Sequence, residues 1–275
     1  IGEAAHLADH GIVSRVDLPD VGRNLQDRYE ISLVHRMRRP WRSLKGARFA
    51  PGDPLHRAWR QGRGMYISNG AALAALRRSS GARDRTPDLF LMGLMARFKG
   101  YYPDYAKALM EGLDGFSWTI LKGQTGNRAG QVRLASADPR DVPDIDFAYF
   151  EEKGEEDLAG LVEGVDMARA LAQPLIARGV IAEEELPGPG LDGPVLRDWV
   201  RANAWGHHAC GTAAIGPVLD AAGRVHGIER LRVVDAAIFP RIPGLFIAAP
   251  IYFAAEKLAA DILRASPAPN QRKDD

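Results

Sequence analysis

The sequence has little cysteine, no long apolar run and no excess of charge of either sign. One cysteine among 275 residues excludes an internal disulfide framework and indicates a reducing compartment, so we expect a cytoplasmic location. No apolar run approaches the roughly 18 residues of a membrane span, and we expect none. With 36 Lys and Arg against 35 Asp and Glu, the chain lacks the positive field that nucleic-acid backbones require, so we expect no nucleic-acid partner.

A phosphate-binding glycine loop is also missing. Residues 188–193 match the G-x-G-x-x-G pattern, but they follow an acidic run instead of a strand, and Pro189 removes one of the backbone donors that such a loop needs. We therefore interpret this stretch as a Pro/Gly linker. The chain also has no initiator Met and opens within a helical pattern at residues 4–10, so we expect that a segment upstream is missing.

The hydrophobic pattern predicts several strands between two more helical ends. Residues 31–37 favour a strand, and residues 118–121 with 131–135 are typical of a hairpin that has one half-buried face. Residues 155–172 have the spacing of an amphipathic helix. The pattern predicts two further helices, over residues 195–202 and 251–264, and residues 88–95 fit either a strand or a helix. The fold class we expect is α/β (α+β), with an antiparallel-sheet domain inserted into another domain.

The most informative stretch for function holds two adjacent histidines, His207 and His208, before Cys210 and a Gly-Thr turn. Neighbours in an extended segment point to opposite faces, so we expect only one of the two rings to face a given site. A metal site is not expected, because the nearest further histidine, His226, lacks the partners of a closed ligand set. Cys210 fits small-apolar packing better than a nucleophile.

Downstream, residues 231–235 predict an apolar strand that ends in Asp235, and Ala249-Pro250 predicts the start of a helix. A carboxylate at a strand end suits the hydroxyls of a polyol chain, and a helix N-terminus suits an anionic oxygen. Together with an imidazole, these features favour a flavin site.

Five blocks of sequence carry a family resemblance: residues 17–27, 132–139, 208–212, 224–236 and 249–257. In this order they are similar to the C-terminal half of the glucose-methanol-choline (GMC) family of FAD-dependent oxidoreductases. The resemblance covers nearly all of the chain. It implies FAD as cofactor, a small-molecule substrate, and oxidation of an alcohol whose hydride passes to the flavin N5.

The resemblance also implies roles for individual residues. His208 is the general base that takes the alcohol proton, and imidazole chemistry suits that task near neutral pH. Its neighbour His207, the second residue of the candidate catalytic pair, is expected to point away and to serve packing or hydrogen bonding. The cofactor-binding residues implied are Asn24, Asp235, Ala236, Ala248, Ala249 and Pro250, and the substrate-binding residues are Arg241 and Phe246.

The same resemblance predicts the domain organisation. Residues 1–30 and 203–275 are expected to form part of a Rossmann-like FAD-binding domain, and residues 31–202 an inserted substrate-binding domain. The N-terminal FAD-binding half, with its glycine loop, is the expected partner.

One position departs from the family, and it leaves alternatives open. Ala248 stands where most relatives carry Asn or His, and a methyl group cannot hydrogen-bond an alkoxide. The chain is therefore an alcohol-oxidising enzyme, a non-catalytic binding or assembly subunit with the same fold, or a relative that acts on a carboxylic acid through Arg241.

Overall fold

The computed structural model of the protein describes residues 1–110 and 112–265, which divide into two compact units. Among the described residues, the first unit contains residues 1–27, 124–152 and 207–265, and the second contains residues 28–123 and 153–206. Residues 124–152, which the sequence analysis assigns to the substrate-binding domain, thus lie in the first unit, together with residues 1–27 and 207–265. What each unit binds stays a prediction, and residues 266–275 lie outside the described part.

The structure contains seven strands and six α-helices among the described residues. The strands are β1 (Tyr29–Met37), β2 (Ala71–Arg77), β3 (Leu89–Leu94), β4 (Gly115–Lys122), β5 (Gln131–Arg133), β6 (Asp144–Asp146) and β7 (Ile181–Leu186). The helices are α1 (Ala4–Asp9), α2 (Pro54–Trp59), α3 (Tyr105–Ala108), α4 (Gly154–Ala177), α5 (Gly193–Asn203) and α6 (Ala248–Ala265). None of the described helices combines the length and the hydropathy that crossing a membrane requires.

The second unit is built on a five-stranded antiparallel sheet of order β2-β3-β4-β1-β7. Its central strands β1 and β4 are rich in β-branched and aromatic residues, which pack well on a pleated surface. The antiparallel sheet that the sequence predicts is therefore confirmed. The undecided stretch at residues 88–95 forms strand β3.

Helix α4 covers one face of this sheet. Leu158, Leu161 and Val165 are fully buried at helical spacing, as the amphipathic pattern predicts. The helix comes very close to β4, because a Cβ added at Gly164 would lie 2.5 Å from Cγ2 of Ile120. Glycine at this position therefore sets the distance between helix and sheet.

The predicted hairpin over residues 118–135 is wrong. Strand β4 pairs with β1 and β3, whereas β5 belongs to the first unit and pairs with β6. Sequence proximity favours pairing of neighbouring strands, but here the strands beside β4 are more distant along the chain. A short loop between two strand patterns was therefore not sufficient to predict that the two strands pair with each other.

The first unit has a small core and long irregular segments. Its core residues include Val218, Leu219, Val225, Ile238 and Leu258. The predicted helix 251–264 is confirmed as α6, which begins at Ala248, so Pro250 lies in the first turn, where its missing N–H costs nothing.

The predicted strand at residues 231–235 is wrong. Among the described residues this stretch makes only an isolated bridge, between Arg224 and Arg232. An apolar segment becomes a strand only where a partner strand meets its backbone, and no described strand runs beside this one. Asp235 therefore ends no strand.

Candidate active site

The backbone at His208 is held against the segment that contains Gln26 and Asp27. Cys210 and Gln26 exchange two backbone hydrogen bonds, of 2.9 and 3.0 Å. Two residues before Cys210, the N–H of His208 donates to Oδ1 of Asp27 over 2.8 Å. Three hydrogen bonds thus fix a stretch of chain that has no regular secondary structure of its own.

Asp27 connects three segments of the first unit. Its Oδ2 accepts the hydroxyl of Tyr149 at 2.7 Å, and its carbonyl accepts the hydroxyl of Thr125 at 2.7 Å. The residue is buried, and a buried carboxylate is tolerated only where donors satisfy its oxygens. Asp27 therefore sets the position of His208 relative to the rest of the unit.

Gln26 performs a similar task for the chain around Arg241. Its Nε2 donates to the carbonyl of Pro240 at 3.1 Å, and its Oε1 accepts the N–H of Ile242 at 3.1 Å. Both neighbours of Arg241 are thereby fixed, while the side chain of Arg241 itself is exposed. Whether Arg241 contacts a substrate stays a prediction.

Asn24 and Gly211 meet at a very close approach. The side-chain amide of Asn24 donates to the carbonyl of Gly211 at 3.1 Å. Gly211 has a φ of +97°, and a Cβ at this position would lie 2.3 Å from the Asn24 carbonyl oxygen. Only glycine fits here. The structure thus brings Asn24 beside the histidine segment, and its contact with a cofactor stays a prediction.

Asp235 and Ala236 lie next to the same turn. The Asp235 carboxylate accepts the N–H of Ala237 at 2.7 Å and so caps a 3₁₀ helix, Ala236–Ile238. The carbonyl of Ala236 accepts the N–H of Gly211 at 3.3 Å. Asp235 is exposed, and its predicted role at the ribityl-phosphate part of FAD remains untested.

The prediction that the side chains of His207 and His208 point to opposite faces is wrong, and the role of His207 stays a prediction. The two ring centroids lie 4.2 Å apart, with an angle of 35° between the ring planes. The alternation of side chains holds only in extended strands, and residues 206–209 form none. The two imidazole rings therefore lie side by side, with His207 exposed and His208 half-buried.

Phe246 and the start of α6 are the remaining parts of the candidate site around His208. The ring of Phe246 packs edge-on against the His208 ring, with centroids 5.7 Å apart. Helix α6 begins two residues later, and Ala248 and Ala249 at its first positions are exposed. The first backbone N–H groups of a helix have no acceptor within the helix, and they carry its partial positive charge. An open helix N-terminus with small side chains thus follows directly on the aromatic neighbour of His208.

Two further expectations concern residues near this group. Cys210 is buried and packs with Ile242 and Ile247, so the prediction of apolar packing is confirmed. The His226 Nε2 lies 3.0 Å from the carbonyl oxygen of Gly216, ten residues earlier in the chain.

Sequence reasoning missed the residues that position His208. Asp27 and Gln26 lie in one of the sequence blocks that carry the family resemblance, but the sequence alone predicted no role for either residue. No local sequence pattern indicated a role for Tyr149, because its hydrogen-bond partner Asp27 lies 122 residues away along the chain. Only the folded structure relates these groups to the histidine.

Comparisons with known proteins find similar chains among oxidoreductases. The C-terminal domain model of the GMC oxidoreductases matches residues 126–255. The chain is 31% identical to the oxygen-dependent choline dehydrogenase of Chromohalobacter salexigens, over all of this chain and 49% of that protein. It is also 31% identical to the alcohol dehydrogenase (acceptor) of Pseudomonas putida, over 96% of this chain and 48% of that protein.

Solved structures of the same fold are also similar. Pyridoxine 4-oxidase from Mesorbium loti superposes with a TM-score of 0.73 at 22% identity, over 97% of this chain and 48% of that one. An Aspergillus oryzae formate oxidase variant superposes with a TM-score of 0.78 at 22% identity, over 96% of this chain and 51% of that one.

These matches indicate a protein family and the region of its members to which the chain is similar. Residues 126–255 match the C-terminal domain of the GMC oxidoreductases, and that family is FAD-dependent. More particularly, the chain matches the C-terminal part of choline dehydrogenase-like members of that family. The chain spans about half the length of the relatives it matches.

Proposed function

We propose that the protein takes part in the FAD-dependent oxidation of a small alcohol, with His208 as the general base. The observation that carries this proposal is the position of His208, whose backbone N–H is bound by Asp27 and whose ring packs against Phe246. Two residues after Phe246, helix α6 begins with the exposed Ala248 and Ala249. An imidazole is suited to accept the hydroxyl proton of an alcohol as its carbon is oxidised. Asp27 keeps the base in place without contacting the substrate.

The residues at the start of α6 fit one end of FAD, the isoalloxazine ring. The backbone N–H groups of Ala248 and Ala249 would stabilise negative charge on the bound ring, and Pro250 contributes no N–H. Bound FAD supplies an acceptor for the hydride that leaves the substrate carbon. Asn24, Asp235 and Ala236, grouped around Gly211, are proposed to contact the remainder of the cofactor.

The pyrophosphate of FAD needs residues that this sequence does not contain. We propose that they belong to an N-terminal half, which precedes the chain in the same enzyme or is a separate polypeptide. One observation supports a missing partner for the first unit: Tyr252, Phe253 and Leu263 on α6 are 74%, 77% and 75% exposed. Large apolar side chains this exposed on one helix are typical of a surface that another polypeptide covers. A cytoplasmic location is part of the same proposal.

The test compares His208→Ala with His226→Ala in the FAD-loaded enzyme with its N-terminal half. Primary alcohols serve as substrates, with an artificial electron acceptor. Loss of a general base lowers turnover by about 10²- to 10⁴-fold, so we expect that loss for His208→Ala. His226→Ala removes an exposed imidazole that contacts Gly216 and should retain turnover. Equal turnover of His208→Ala and the parent enzyme would contradict the assignment.

Two alternatives make different predictions in the same assay. A carboxylic acid substrate is favoured by the exposed Arg241, since Gln26 fixes the backbone on both of its sides. In that case Arg241→Gln raises the KM for the acid and leaves alcohols unaffected. A non-catalytic binding or assembly subunit is favoured by the methyl side chain of Ala248. It would show no turnover with either substrate class, even with FAD bound.

A further inference from the structure

The loop between β1 and β2 carries an unusual concentration of positive charge. Residues 38–63, which we name the basic loop, contain eight basic side chains and a single acidic one, Asp53. All eight basic residues are exposed: Arg38, Arg39, Arg42, Lys45, Arg48, Arg57, Arg60 and Arg63. Within the described part of the chain, no ion pair involves any of them.

The basic loop is held in place by contacts on its inner side. The indole N–H of Trp41 donates to the carbonyl of Gly115 at 2.7 Å. Leu44 and Leu55 are buried, and they anchor the two short helices of the loop, Arg42–Leu44 and α2. The charged side chains therefore project from an ordered surface.

Asp53 does not pair with these cations, because its carboxylate is used inside the loop. It accepts the N–H of His56 at 2.7 Å, the N–H of Arg48 at 2.9 Å and the hydroxyl of Tyr66 at 2.7 Å. Burial opposes ionisation of this carboxyl, but the donors outweigh that effect and hold the pKa of Asp53 well below its usual value. The fold thus turns its one acid inward and its eight cations outward.

Apolar side chains are exposed among the cations. Phe49, Trp59 and Ile67 are 53%, 49% and 59% exposed. The Phe49 ring stacks on Tyr66, which precedes Ile67, with centroids 5.1 Å apart. Trp59 lies on α2, between Arg57 and Arg60. Cations interspersed with aromatic and aliphatic groups are typical of surfaces that bind the headgroup region of a membrane.

We propose that the basic loop docks on an anionic phospholipid membrane. The cations meet the negatively charged headgroups, and Phe49, Trp59 and Ile67 enter the boundary between headgroups and acyl chains. A nucleic acid offers similar phosphates, but it has no apolar phase for Ile67. The proposal goes beyond the alcohol oxidation proposed above and does not depend on it.

Vesicle binding by the protein in its natural full-length form tests the charge part of the proposal. The probes are phosphatidylcholine vesicles with and without phosphatidylserine. The test variant is Arg42→Gln/Arg48→Gln/Arg60→Gln, and the control Arg15→Gln/Arg85→Gln/Arg128→Gln loses the same charge outside the basic loop. Each cation near an anionic surface contributes about fivefold in affinity. We expect phosphatidylserine-dependent binding, about 100-fold weaker in the test variant and retained in the control.

A second pair of variants tests the apolar part and separates a membrane from a nucleic acid. Ile67→Ser should weaken the binding that persists at high salt, and Val142→Ser, an exposed apolar residue in the first unit, should not. Thermal unfolding checks that all variants remain folded. The proposal is overturned if phosphatidylserine has no effect, or if test and control variants bind equally. It is also overturned if a single-stranded oligonucleotide binds as tightly as the vesicles and Ile67→Ser changes neither affinity.

Discussion

The backbone N–H of His208 donates to one oxygen of the Asp27 carboxylate at 2.8 Å, while the Tyr149 hydroxyl donates to the other at 2.7 Å. The two partners His208 and Asp27 are 181 residues apart in the sequence. The carboxylate thus serves as a two-sided clamp on the candidate base. Its removal and its conservative replacement have different expected consequences.

Asp27→Ala leaves two donors without their acceptor, whereas Asp27→Asn keeps an oxygen for the His208 N–H. A buried polar group left unpaired costs about 1 to 3 kcal/mol. We expect Asp27→Ala to lower the free energy of unfolding by about 2 to 4 kcal/mol, and Asp27→Asn by about 1 kcal/mol or less. Urea unfolding measures both. In the flavin-loaded enzyme, Asp27→Ala should lower kcat more than it changes KM, and Asp27→Asn should restore most of the loss. Equal effects of the two substitutions would remove the clamp as an explanation.

The contribution of the Tyr149 hydroxyl can be isolated with a double-mutant cycle. Tyr149→Phe keeps the ring and removes one hydrogen bond to Asp27, which costs about 1 kcal/mol. Once Asp27→Ala has removed the acceptor, the same substitution should cost less, so a coupling free energy of about 1 kcal/mol is expected. Tyr252→Phe, at an exposed tyrosine on α6, is the control and should show no coupling to Asp27. Strictly additive effects would mean that the two side chains do not act together.

The regular elements of this protein could be predicted where their signal is local. Helices α4, α5 and α6 have apolar residues at helical spacing, and proline lies in the first turn of α5 and of α6. Strand β4 has a run of β-branched and aromatic residues. The pairing of β4 with β1 could not be predicted in the same way, because the two strands are far apart in the sequence.

The candidate site was predictable in part for the same reason. Adjacent histidines and a helix start are local features, and the structure brings His208 together with Phe246. The relative direction of His207 was not predictable, because it depends on backbone angles in an irregular loop. Asp27 was not predictable from spacing, since its role exists only once the chain has folded.

The close approach at Gly211 gives a prediction about backbone geometry. Gly211→Ala introduces a Cβ into a left-handed conformation, and it would lie 2.3 Å from the carbonyl oxygen of Asn24. Gly216→Ala is the matched control, because its φ is +112° but no atom lies within 4 Å of the added Cβ. We expect a loss of about 1 to 2 kcal/mol at Gly216 from the strained backbone alone, and at least about 2 kcal/mol more at Gly211. Thermal unfolding compares the two, and a similar loss at both positions would show that the Asn24 contact imposes no constraint.

His35 provides the final prediction, which concerns stability as a function of pH. This side chain is fully buried in β1, and neither ring nitrogen has a hydrogen-bond partner among the described residues. Burial lowers the pKa of His35 below its ordinary value of 6.5, and Arg169 adds to this effect, while Glu184 and Glu185 oppose it.

The direction of the pH effect follows from which state binds the proton. Below pH 6.5 the unfolded chain protonates this histidine, whereas the folded chain keeps it neutral until its lower pKa is reached. The unfolded state therefore gains protons first, and the free energy of unfolding falls as the pH decreases through this window, by up to about 1.4 kcal/mol for each pH unit. His35→Leu removes the titrating group and should flatten that slope, while His226→Leu, at an exposed histidine, should leave it unchanged. Urea unfolding between about pH 7 and about pH 5 measures the slopes, and a parallel decline in the parent protein and His35→Leu would exclude His35 as its source.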